Sequence, residues 1–323
     1  MIELPVALQH AIRQSLHPYS SHQWSDAARR LSERYRSVRD GSPLVTSEID
    51  ALAYTAMLMP ATYAQLVRAI GMWPPHLDNS GWQSVLDIGS GPGTALWALH
   101  TLMPHITVRT AIERDPHFVA LAQQLCKPLV GHTTFVQQDI THNPTWPTHD
   151  VVIIGHVLNE LSATQRTRVI EAAWAATNEL LVIVEPGTSA FFGMIRDIRR
   201  QLIDQGAHVV APCTHDMMCP MSGDDWCHFG QKIARPDFQR QARAVQVGWE
   251  EAKVSFVAVS KRPVAISGQR IIHDPIHHKG FVALPVCDHT GLHTRSILKR
   301  HKATHARARR MSWGDFWNDD SPK

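Results

Sequence analysis

From residue 84 the chain alternates short apolar runs with longer segments whose apolar residues recur every three or four positions. SVLDI (84–88), VRTAIE (108–113), TTFVQQ (133–138), DVVIIG (150–155) and ELLVIVE (179–185) are predicted strands. SVLDI reads as a short buried strand. TALWALHTLMP (94–104), DPHFVALAQQLC (115–126), SATQRTRVIEAAWAAT (162–177) and FFGMIRDIRRQLIDQG (191–206) carry helical spacing. Such alternation predicts a parallel sheet flanked by helices, an α/β fold of Rossmann-like type.

Residues 1–80 read as an N-terminal helical region. Ser47 and Asp50 form a start signal before ALAYTAMLM, and Pro60 is predicted to break that helix and begin the next. WPPHLDNSG (73–81) is a turn-rich linker. The α/β domain spans 81–206. Residues 207–298 hold an irregular segment (207–236), an alternating strand KVSFVAVSK (253–261) and a small β region with a hairpin turn at Asp288–Gly291. Residues 299–323 are a tail.

Composition narrows the class. The 323 residues are 44% hydrophobic and 19% charged, as in a soluble globular protein. No run reaches the roughly 18 apolar residues of a membrane helix. The N-terminus lacks both an apolar signal core and an Arg-rich presequence, so no targeting segment is read and a cytoplasmic location is expected. The net charge is only +3, yet Arg295, Lys299, Arg300, Lys302, Arg307, Arg309 and Arg310 stand together with no Asp or Glu among them. That run is expected to form an extended or helical arm for phosphates, its alternative being a solvated tail. Trp313 and Trp317 at its end are expected to pack rather than stack on bases.

After the first strand comes Asp87-Ile-Gly89-Ser-Gly91-Pro-Gly93. Glycines at alternate positions let backbone approach a ligand at a helix N-terminus. The spacing differs from GxGxxG, and Pro92 removes an N–H that a pyrophosphate would use. Glu113, closing the second strand, is placed to accept from ribose hydroxyls, and Asp139, after the third, to reach an adenine amino group. This constellation resembles class I S-adenosylmethionine-dependent methyltransferases. His156, Asn159 and Glu160 follow the fourth strand; His156 is a candidate general base. The plainer alternative is that Asn159 and Glu160 cap a turn or line the cleft.

Four of the five cysteines are the remaining signal. Cys213, Cys219 and Cys227 lie in APCTHDMMCPMSGDDWC, and Cys287 ends VALPVC. The spacing is not that of a zinc ribbon; it admits zinc, a [4Fe–4S] cluster or inert thiols. His215, His228 and His289 are alternative zinc ligands. Cys126 falls on an apolar helix face and reads as core.

LMPATYAQL (58–66), LDIGSGPGTALWA (86–98), VLNELS (157–162), VEPGT (184–188), VVAPCTHDMMCP (209–220), DWCHFGQ (225–231), KGFVALPVC (279–287) and SWGDFW (312–317) occur together. Over residues 50–317 the chain resembles the Rsm-type small-ribosomal-subunit family. The resemblance implies a factor that assembles the small ribosomal subunit and contacts its rRNA. It also implies a [4Fe–4S] cluster on Cys213, Cys219, Cys227 and Cys287, and a mitochondrial matrix location in a eukaryote. The factor is expected to be monomeric off the ribosome, with no membrane partner. Two other functions compete: an active S-adenosylmethionine-dependent rRNA methyltransferase, and a small-molecule methyltransferase with a structural zinc site.

Overall fold

The computed structural model describes residues 1–36, 45–142 and 144–318. Three helices come first: α1 (Val6–Leu16), α2 (Ser21–Arg36) and α3 (Glu48–Gly71). Then follow β1 (Ser84–Ile88), α4 (Thr94–Leu102), β2 (Val108–Glu113), α5 (Pro116–Leu125), β3 (His132–Gln137), β4 (His149–Gly155), α6 (Ala163–Ala175), β5 (Thr177–Pro186) and α7 (Ser189–Asp204). The chain continues through β6 (His208–Ala211), β7 (Phe229–Ala234), α8 (Asp237–Arg243) and β8 (Trp249–Ser260). It closes with β9 (Gln269–Ile271), β10 (Ile276–His277), β11 (Phe281–Asp288), β12 (Gly291–Leu298), α9 (Lys302–Ala308) and β13 (Phe316–Trp317).

The main sheet has the order β3-β2-β1-β4-β5-β8-β6, with β7 also pairing β8. Strands β1 to β5 pair in parallel; β8 runs antiparallel to β5, β6 and β7. This is the class I methyltransferase-like arrangement expected from the sequence. Val85, Leu86, Val151–Ile154 and Leu180–Val184 are fully buried, which is why these strands read as unbroken apolar runs. The parallel order reverses between β1 and β4, so a crevice opens there at the strands' carboxyl ends.

Pro60 does not end a helix. It lies inside α3, which runs unbroken from Glu48 to Gly71, capped by Ser47 accepting from the Asp50 amide. A proline removes one intrahelical hydrogen bond. Here that loss is offset by packing: Leu52, Ala56, Met59, Tyr63, Leu66 and Ile70 are all buried in the main core. Residues 207–236 also hold more order than their sequence shows. β6 is only four residues long, and β7 lacks strict in–out alternation, so neither carries a periodic signal.

The second sheet, β10-β11-β9-β13 with β12 on β11, closes over Ile271, Val282, Leu284, Val286, Ile297, Ala308 and Trp317. The β11–β12 hairpin turns at Asp288–Gly291. Of the extended and helical forms expected for the basic run, the helical one is present and it is docked: α9 packs on β11 and β12, and β13 pairs with β9. Trp317, 1% exposed, supplies the apolar anchor that draws the chain back. No helix among the described residues is long and apolar enough to cross a membrane.

Candidate functional site

The first site is a cleft of about 150 Å³ at the carboxyl ends of β1, β2 and β4, extending to residues 138–141 just beyond β3. Asp87, Gly89, Gly91, Glu113, Asp139, His156 and Glu160 all line it, and Gly93 begins α4 beside it. Tyr54, Met59, Thr62 and Leu66 of α3 form its apolar wall together with Phe118. Tyr54 and Phe118 meet edge to face at 5.1 Å.

The glycines have separate reasons. Gly89, at φ +71°, lies so close to Val157 that a Cβ would come within 2.3 Å of Val157 Cγ2. Gly93, at φ +83°, would meet Cys126 Sγ at 2.7 Å, so the buried Cys126 is the floor under the turn. At Gly91 (φ +51°) a Cβ would meet nothing within 4 Å; it would project into open space. The loop thus leaves room for a ligand at its middle glycine.

Acids dominate the chemistry. Asp87 is 1% exposed and its Oδ2 has no hydrogen-bond partner. Burial and the neighbouring Glu113 charge push its carboxyl up to about 8. Glu113 is also raised by burial, against the pull of three backbone amides. Gly91 N donates to its Oε2 at 2.9 Å, and Arg114 N and Asp115 N donate to Oε1. Asp139 is pushed up by burial but held below its ordinary value overall by the Thr141 amide and hydroxyl and by His142. Such a ring suits a ligand with positive groups, and the unpartnered Asp87 Oδ2 and Ser90 Oγ fit the sulfonium- and ammonium-bearing cofactor that the sequence suggests.

His156 has a left-handed backbone, φ +61°, rare outside glycine. Its buried Nε2 has no partner, and burial pushes its ring down to about 4, so the imidazole is neutral. Asn159 donates to Glu185 Oε2 at 2.6 Å, and Leu158 N donates to Oε1 at 3.0 Å. Glu185, fully buried and raised to about 7 by that burial, anchors the turn after β4. Sequence reasoning passed over Glu185, although an acid closing an apolar strand is the same signal that marks Glu113. Glu160 lies on the rim, 3.9 Å from Arg114.

The second site is a cavity of about 40 Å³ lined by Cys213, Cys219, Cys227 and Cys287. The fold brings the first two in on the loop after β6, the third just before β7, and the fourth on β11 of the other sheet. Arg196, Arg199, Arg270, Phe192, Met221, Phe256 and Ile272 complete the walls. Burial and their mutual charges push the Cys227 thiol well up, and Cys287 up to about 12. All are free thiols. Among the described residues no group of three or more His, Cys, Asp or Glu is arranged to hold a metal ion, so the four share a cavity without converging on one point. Of the alternative ligands, His215 Nε2 is 3.9 Å from Cys287 Sγ, His228 stacks on Trp226, and His289 is exposed.

The basic residues gather where β12 turns into α9. Lys299, Arg300, Lys302, Arg309 and Arg310 are exposed, while Arg295 and Arg307 are half-buried. Arg307 lies over the Trp317 ring at 4.0 Å and donates to Asn318 O. It packs the chain end as well as charging it.

A family model described as "Mitochondrial small ribosomal subunit Rsm22" matches residues 48–318. The chain is similar to the human "Ribosome assembly protein METTL17, mitochondrial", 27% identical over 290 residues that cover 82% of this chain and 62% of that protein. It is also similar to "Rsm22-cox11 tandem protein 2, mitochondrial" of Schizosaccharomyces pombe, 24% identical over 343 residues, 86% of this chain and 44% of that one. The chain therefore spans about half the length of these relatives. Among solved structures, an O-methyltransferase family protein from Burkholderia thailandensis superposes with a TM-score of 0.46 at 16% identity, covering 78% of this chain and 71% of the other.

Proposed function

We propose a function from one premise: this chain belongs to the Rsm22 family. It acts as an assembly factor for the small ribosomal subunit, bound to the subunit or its precursor through rRNA. The names of its relatives point to ribosome assembly and to mitochondria, and the matrix is the corresponding place of work. The exposed cations Lys299, Arg300, Lys302, Arg309 and Arg310, set where β12 turns into α9, are the phosphate-contacting group.

The cleft holds S-adenosylmethionine. Asp87, Glu113 and Asp139 receive its polar groups, and Gly89, Gly91 and Gly93 let the backbone come close. The cysteine cavity holds a [4Fe–4S] cluster on Cys213, Cys219, Cys227 and Cys287, which supplies a cross-link between the two sheets. One observation carries this reading: thiols from the β6–β7 connection of the main sheet and from β11 of the second sheet line a single cavity inside the span that the family model matches. A lone zinc ion requires every sulfur about 2.3 Å from one point, whereas a cluster offers each thiolate its own iron.

Anaerobic purification tests the cavity. About four iron and four sulfide per chain are expected, with loss in Cys287→Ser; stoichiometric zinc and a colourless protein would overturn the cluster. Crosslinking and sequencing of bound RNA tests the partner, with small-subunit rRNA expected. The second reading, an active rRNA methyltransferase, rests on the unpartnered His156 Nε2 in the cleft. Donor-dependent methyl transfer to small-subunit RNA, lost in His156→Ala, would decide for it.

A further inference from the structure

Two arginines are buried with the cysteines. Arg199 and Arg270 are each only 5% exposed, and both line the four-cysteine cavity. They come from separate elements, Arg199 from α7 and Arg270 from β9. Each donates to backbone carbonyls rather than to a carboxylate. Arg199 Nη2 donates to His215 O at 2.6 Å. Arg270 donates to Pro212 O at 2.8 Å, Gly314 O at 2.8 Å and Met72 O at 3.2 Å. A carbonyl satisfies an N–H but does not neutralise a charge. A cation out of water without an anion is strongly unfavourable.

The thiols are the groups placed to supply that anion. Both guanidinium-bearing side chains line one cavity with Cys213, Cys219, Cys227 and Cys287. Asp288 stands by Cys287 on the Arg199 side, and Arg196 adds a cation at the rim, donating to Met221 O. The walls therefore carry two interior cations beside four thiols.

We propose that Arg199 and Arg270 are the buried counter-ions of the cysteine cavity, and that they hold a centre whose four thiolates leave it net negative. This rests on the cluster reading above. Four thiolates around a [4Fe–4S] core of charge +2 sum to −2, matching the two guanidinium groups. Arg270 has a second task that its fork geometry allows: its three bonds tie the loop after β6, the end of α3 and the turn before β13 to the cavity wall.

The cations act on the electron balance of the centre. When one electron passes from an external reductant such as dithionite to the core, the charge becomes −3 and no bond to cysteine breaks. Nearby positive charge favours that form, so removing it lowers the midpoint potential. The test uses the full chain, purified anaerobically, as wild type, Arg270→Met, Arg270→Lys, Arg199→Met and the surface control Arg262→Met. Iron and sulfide content, the midpoint potential and the thermal midpoint are measured for each. In Arg270→Met and Arg199→Met a shift of at least tenfold in the redox equilibrium is expected, about 59 mV downward for one electron. Arg270→Lys restores most of the potential but not the thermal midpoint, because it keeps the charge and loses the fork. Arg262→Met matches wild type. A merely structural role would lower the thermal midpoint and leave the potential of the assembled cluster unchanged, and that result overturns the proposal. If Arg270→Met does not fold, the potential of Arg199→Met decides in its place. A wild type without iron and sulfide overturns the cluster reading itself and the proposal with it.

Discussion

Asp87→Asn tests the electrostatics of the cleft directly. The Asp87 carboxyl is pushed up to about 8 by burial and by Glu113, against about 3.9 in an unfolded chain. Between these values the folded protein keeps a proton that the unfolded chain has released. The stability this contributes is complete below about pH 4 and is lost as pH rises through about 8. One unit within the window is worth about 1.36 kcal/mol, and integration from pH 6.5 to 8 gives a loss of about 1.6 kcal/mol. That interval separates Asp87 from His156, whose lowered value makes stability rise with pH, but only between about 4 and 6.5. Glu185, raised to about 7, contributes a slope of the same sign as Asp87, and the variant retains it. Asparagine keeps the shape and cannot ionise. Urea denaturation at the two pH values, without added S-adenosylmethionine, gives the comparison. Wild type is expected to lose about 1.6 kcal/mol more than Asp87→Asn across the interval. Equal losses in the two proteins would refute a protonated, buried Asp87.

Other residues give sharper contrasts. Gly89→Ala, driven against Val157 at a left-handed position, is expected to lose about 2 kcal/mol or more in denaturant titrations. Gly91→Ala meets no protein atom; it is expected to lose only about 1 kcal/mol of backbone strain yet to weaken S-adenosylmethionine binding at least tenfold by calorimetry. Glu185→Ala strips the buried acceptor from Leu158 N and Asn159 and is expected to cost about 1–3 kcal/mol. Reversing Lys299, Arg300 and Lys302 to Glu is expected to flatten the salt dependence of RNA binding, by about 0.7–0.9 log units of slope for each phosphate no longer neutralised. Arg307→Ala is expected to lower the thermal midpoint by removing the guanidinium that covers the Trp317 ring, with a smaller effect on RNA than the triple reversal.

The legible parts of this chain are those with a local cause. A strand buried on both faces must be largely apolar, so β1, β4 and β5 announce themselves. A tight glycine turn at a helix start needs residues that tolerate positive φ, so Gly89, Gly91 and Gly93 mark the cleft before any coordinates do. Pro60 misleads because its cost is local, whereas the packing of α3 that offsets it comes from the sheet, α4, α5 and α8. The basic run is legible in part. Its sequence allows an extended or a helical arm, and α9 is the helical form; what it does not show is that this helix docks on β11 and β12 while Trp317 pairs through β13 with β9.

By itself the sequence determined the α/β alternation, the glycine turn with its acids, and the four cysteines as a set, because each is written in residue type and short-range spacing. The tertiary structure alone decided that Cys287, on the second sheet, reaches the wall shared by the other three. It also decided that Arg199 and Arg270 are buried beside them, and that Asp87 is a carboxyl that resists ionisation. Burial and charge proximity depend on what distant segments exclude from water. An arginine in GQRIIHDP has no signature for being in the interior until β9, α3 and the loop after β6 close around it.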